Sequence, residues 1–87
     1  MIKRAKLYLR CIIITDDLIS FVDMDNKLYF YSNNIINFLF RINDFYEVSA
    51  KLKYISPDTI HMSYLRVYNT DNILIQRMFK IKNILND

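Results

Sequence analysis

The chain contains no glycine among its 87 residues. That absence constrains backbone and chemistry together. Loops that cradle phosphate need glycine so that the backbone can approach the anion, and the Walker and Rossmann fingerprints are therefore excluded. Nucleophile elbows of the G-x-S-x-G type are excluded for the same reason. Tight turns with positive φ must fall on Asn and Asp, the residues after glycine that tolerate it best. The chain also has one cysteine, Cys11, and one histidine, His61. A single thiol makes no intrachain disulfide and no Cys-based zinc site, and a single imidazole makes no two-histidine metal site.

The length fits one domain spanning residues 1–87. Apolar residues make up 53% and charged residues 24% of the chain, enough apolar surface to offset chain entropy on folding. No apolar run approaches the length of a membrane-spanning helix. Lys6 and Arg10 interrupt any signal-peptide core, so the expected location is the cytoplasm of the producing or host cell. Residues with AT-rich codons (Ile, Asn, Lys, Tyr, Phe) dominate, while Gly and Trp are absent. This bias points to an AT-rich genome, such as that of a phage, a large DNA virus, a mobile element or an AT-rich bacterium.

Hydrophobic periodicity divides the chain into short elements. Residues 5–15 read as a strand, in which Ile12, Ile13 and Ile14 form a β-branched run suited to a pleated surface. Being apolar on both faces there, it is expected to be central. Asp16-Asp17 makes a turn, Leu18 to Met24 a second strand, Asp25-Asn26 a two-residue turn and Leu28 to Tyr31 a third strand. From Ser32 to Phe45 the period changes. Ile35, Phe38, Leu39, Ile42, Phe45 and Tyr46 share one helical face, and Ser32 or Asn33 supplies the N-cap. Val48 to Ser56 alternates again, with Val48, Ala50, Leu52 and Tyr54 opposite Ser49, Lys51 and Lys53. Pro57-Asp58 turns the chain into Thr59 to Tyr68, with Ile60, Met62 and Tyr64 on one face. The alternation then shifts toward Leu65 and Val67, as at a bulge or in a strand buried on both faces. Ile73 to Ile81 reads as a last strand, with a helix over 73–85 as the alternative. The tail from Lys82 is expected to fray.

The expected fold class is α+β, in the order β-β-β-α-β-β-β. An antiparallel sheet of five or six strands would carry one amphipathic helix on one face, or curl partly around it.

Four constellations bear on function. The first is a basic and aromatic sheet face, with Lys6, Tyr8 and Arg10 alternating on the first strand. Lys51 and Lys53, Lys80 and Lys82, and Tyr29 and Tyr31 would join it. Aromatic side chains flanked by cations are how single-strand-binding sheets stack bases. The plainer reading is that any solvated sheet face carries Lys and Arg, and a net charge of +3 is modest. The second is a surplus of aromatics, seven Tyr and six Phe, which suits a protein interface or a homodimer. The codon bias alone also supplies Tyr. The third is the acidic group Asp16, Asp17, Asp23 and Asp25. It lacks the glycine and the terminal glutamate of a calcium loop, so these read as turn residues. The fourth is His61, an acid–base residue type without an assignable partner. Cys11, inside an apolar strand, reads as a small hydrophobe.

The sequence thus points to a small non-enzymatic module that binds and occludes a larger protein. It is expected to be a viral, phage or mobile-element accessory or inhibitor, and a homodimer, using no cofactor, metal or membrane. Tyr8, Arg10, Tyr29, Tyr31, Lys51 and Lys53 are the expected contact residues. The alternative is a nucleic-acid-binding protein that uses the same face.

Overall fold

The computed structural model describes residues 4–32, 40–69 and 72–86. Five strands form one sheet: β1 (Arg4–Ile14), β2 (Ile19–Val22), β3 (Leu28–Tyr31), β4 (Phe45–Ser56) and β5 (Thr59–Asn69). One helix follows, α1 (Asn72–Asn86). The strands close into a barrel in the order β1-β2-β3-β5-β4. β1, β2 and β3 meander, and β4 returns beside β1, which makes a Greek key. β5 then fits between β4, antiparallel, and β3, parallel.

The alternation read from the sequence sorts the strands into inside and outside. Leu9, Cys11, Ile19, Phe21, Tyr29, Tyr31, Tyr46, Val48, Ala50, Ile60 and Met62 face inward and form the core with Phe40. Phe40 sits edge-on between Phe21 and Tyr46, at centroid distances of 5.1 and 4.9 Å. Edge-to-face contacts of this kind stabilise aromatic pairs beyond the area they bury. The isoleucine run at 12–14 is explained by a bulge. Cys11 pairs with Phe21, but the next pairs are Ile13 with Ser20 and Ile14 with Ile19. Ile12 is the extra residue, and beyond it Ile14 packs on the core while Ile13 is exposed. β1 is paired on both sides, as is every strand of the closed barrel, so it is no more central than the others.

Asn and Asp do the work of glycine in the turns. Asn26 and Asn43 have φ of 64° and 73°. In the β2–β3 turn, Asp23 Oδ1 accepts the backbone N–H groups of Asp25 (2.8 Å) and Lys27 (3.0 Å). This five-residue turn is longer than the expected Asp25-Asn26 pair, and β2 ends at Val22 accordingly. At the other positive-φ turn, Asn43 N–H donates to Cys11 O at 2.7 Å.

Three expectations are corrected. The sheet closes rather than remaining open. β1 lies against β4, and β3 against β5 in parallel where an antiparallel sheet was expected, so every strand is paired on both sides. The helix expected over Ser32–Phe45 falls largely outside the described residues, but its end does not. Residues 40–44 form a turn and Phe45 begins β4. The last element is the helix α1, not a strand. Ile75 and Phe79, four residues apart, are buried and Met78 is half-buried, which is helical spacing. Phe79 meets Phe45 at 4.9 Å between ring centroids, so α1 lies on the outside of the barrel against β4.

Candidate functional site

Strand register places the outward residues of β1, β4 and β5 in rows. Arg4 is opposite Lys51, which is opposite Ser63. Lys6 is opposite Ser49, which is opposite Arg66. Tyr8 is opposite Glu47, and Lys53 is opposite His61. Opposed residues project from the same side of a sheet. Arg4, Lys6, Lys51, Lys53 and Arg66 therefore share one outer face, with Glu47 as the only carboxylate among these described positions.

Two exposed tyrosines, Tyr64 and Tyr68, stand on that face beside the half-buried Tyr8. β5 carries an extra residue between Ser63 and Arg66, where Tyr64 takes φ of 53°. Positive φ is costly for a bulky aromatic. Here it turns the ring outward, 67% exposed, under the Lys51 ammonium at 4.5 Å from the centroid. The Arg4 guanidinium reaches across β4 to donate to the Tyr64 carbonyl and fixes the bulge from β1. Arg4 also donates to Ser49 Oγ from Nε (3.2 Å) and Nη2 (3.0 Å), and to the Ser49 carbonyl at 3.2 Å. Ser49 Oγ in turn donates to the Tyr68 hydroxyl at 3.3 Å. That bond, with Arg66 and Arg4 nearby, lowers the Tyr68 pKa. Lys6 bonds Glu47 Oε2 at 3.0 Å, and this partner raises the lysine pKa. Arg4, Ala5, Lys6, Glu47, Ser49 and Tyr68 line a hollow of about 290 Å³.

The structure separates the six expected contact residues. Tyr8, Lys51 and Lys53 lie on the face just described. Arg10 is outward but farther along β1, opposite Val22 and Phe45. It lines a second hollow, about 240 Å³, beneath α1 with Phe79 and Lys80. Lys80 therefore belongs to the helix rather than the sheet, and the side chain of Lys82 lies outside the described residues. Tyr29 and Tyr31 are 5% and 9% exposed and point into the core. They pair with Phe21 and Ile19 across β2–β3, which puts them on the inner side of the pleat, so they are not surface contacts. Tyr29 donates to Asp23 Oδ2 at 2.9 Å, and burial with this bond raises its pKa.

Arg4, Tyr64, Arg66 and Tyr68 were missed in the sequence. The alternation of Tyr64, Arg66 and Tyr68 was the available signal, and the bulge disguised it by interrupting the period set by Ile60 and Met62.

The remaining candidates are accounted for locally. His61 rests against Phe30, with centroids 5.1 Å apart, on the outer side of β5. Cys11 is fully buried, and burial pushes its thiol up to about 11, which disfavours the reactive thiolate. No group of three or more His, Cys, Asp or Glu among the described residues is arranged to hold a metal ion. No helix among them is long and apolar enough to cross a membrane. Comparison with protein-family models, with curated proteins and with solved structures finds no significant match to this chain.

Proposed function

We propose that the protein binds single-stranded nucleic acid along the outer face of β1, β4 and β5. One observation carries the reading: five cations and two exposed tyrosines share a face on which Glu47 is the only carboxylate among the described positions. Cations contact phosphates, and exposed rings stack on unpaired bases whatever their sequence. Lys51 and Lys53 stand about 7 Å apart along β4, from the rise of two strand residues. That step suits an extended strand running along the barrel rather than a point contact.

Five-stranded Greek-key barrels include oligonucleotide binders, which use the β2–β3 side and its flanking loops. In this chain the β1–β2 turn bears Asp16 and Asp17, and no cation projects from β2 or β3. The architecture therefore lends plausibility, while the site is argued from its own residues.

The test is fluorescence anisotropy with labelled dT and rU 12-mers between 0.05 and 0.3 M salt. The wild type is expected to bind both, with affinity falling steeply as salt rises. Lys51→Ala with Arg66→Ala should reduce the log–log salt slope by about 2, roughly one per phosphate contact. Binding that is absent, or equal in both proteins, would reject the reading.

A protein-binding module is the second reading. It is favoured by Ile73, Leu74 and Ile81, which expose apolar surface on α1. Size exclusion with light scattering at low and high salt distinguishes the two. A salt-independent dimer without bound nucleic acid would favour the protein interface.

A further inference from the structure

The hollow between Lys6, Glu47 and Tyr68 contains a feature that phosphate binding does not need. A carboxylate in a cationic track repels the backbone it should attract. Glu47 nevertheless lines this hollow, its side chain only 16% exposed, and it is the only glutamate in the chain. Around it the walls are held in place. Ser49 Oγ ties the Tyr68 hydroxyl at 3.3 Å, and Arg4 ties Ser49 at 3.0 Å. The volume, about 290 Å³, is at the small end of ligand pockets and suits one planar ring.

We propose that this hollow is a base-selective subsite of the nucleic-acid track, and that Glu47 with Lys6 selects guanine. The proposal rests on the single-strand reading above. Chemical complementarity supports it. The ion pair places two carboxylate acceptors beside an ammonium donor, Nζ lying 3.0 Å from Oε2. The Watson–Crick edge of guanine presents the matching set: N1–H and N2–H as adjacent donors, then O6 as an acceptor. Thymine and uracil offer one donor between two acceptors, and a carboxylate facing them meets a carbonyl oxygen. The Tyr68 ring supplies the wall on which the base stacks, as aromatic side chains do for splayed-out bases. Arg4 and Lys51, in the adjoining row, are placed to take the flanking phosphates. Glu47 is thus a specificity-determining residue, and its negative charge costs affinity for thymine and uracil, whose carbonyl oxygen it would face.

The experiment compares wild type with Glu47→Gln, using labelled dT 12-mers that carry either no dG, one central dG, or inosine at the same position. Inosine lacks the N2 amino group. The wild type is expected to bind the dG strand about tenfold more tightly than all-dT, in the range of a good bidentate base contact. Inosine should lose part of that gain. Glu47→Gln should reduce the dG preference to about twofold while binding all-dT as well or better, because a repelling charge is gone. A circular dichroism spectrum matching wild type establishes that the variant is folded. Equal preference in both proteins, or a variant that tightens on all strands alike, would overturn the guanine assignment and leave single-strand binding intact. If neither strand binds with salt sensitivity, the single-strand reading fails and the subsite fails with it.

Discussion

Cys11, Tyr29 and Tyr46 each keep a proton because burial penalises the charged form, and Asp23 adds to the effect at Tyr29. All three are raised in the folded state. A group raised on folding contributes stability that is fully present below its unfolded pKa. That stability is lost as pH rises, because the unfolded chain releases the proton first. The thiol begins the loss near its ordinary value of 9.0, and the phenols follow near 10.0. Tyr68 acts in the opposite sense, but it is exposed, and solvent screening leaves the buried groups dominant. The urea midpoint should thus be level between pH 6 and 8 and fall between pH 9 and 11. A midpoint at pH 10.5 equal to that at pH 7 would show that these groups do not govern alkaline stability. Residue types gave little help with their placement. Tyr29 and Tyr31 looked like surface aromatics by composition, yet β3 has only four residues and its pleat sends both inward. Tyr64 alternates with Ile60 and Met62 in the sequence, yet a bulge turns it outward, and a serine holds Tyr68 at the surface.

Among elements, α1 is the one outside the sheet, and its described side chains attach it at few points. Ile75 and Phe79 are its buried anchors, and Phe79 reaches Phe45 on the outside of β4. Fifteen residues are marginal for an isolated helix in water, so docking rather than propensity maintains α1. Phe79→Ala removes a mostly buried aromatic, a change that costs about 3 kcal/mol in a core. The variant should lose ellipticity at 222 nm while the near-UV signal of the barrel tyrosines persists. Undiminished ellipticity would show that Ile75 alone suffices to hold the helix. The sequence left this element open because apolar residues flank Gln76, Arg77 and Lys80 on both sides, and both a strand and a helix periodicity can be drawn through 73–81. What decides is the outer face of β4, where Phe45 waits for a ring four residues beyond Ile75. By contrast, β4 and the Pro57-Asp58 turn were legible, since Val48 through Lys53 alternates without interruption.

At the scale of the whole molecule, closure was the feature the sequence could not reveal. Short turns announce neighbours such as β2 and β3, but pairing β1 with β4 joins residues more than 30 positions apart, and no local signal marks it. The parallel contact of β3 with β5 is likewise a property of the folded chain. The same closure gives the chain's one thiol an unplanned use. Cys11 is fully buried in a strand bonded on both sides, so no reagent reaches it without opening β1 from β2 and β4. Its modification by an aromatic disulfide should proceed at the rate set by the opening equilibrium and accelerate in urea along with the circular dichroism transition. Rapid labelling in the absence of urea would mean that β1 frays independently of the barrel. The thiol is then a timer for the molecule's opening events, wound by the barrel and read by a colour change, with no engineered label required.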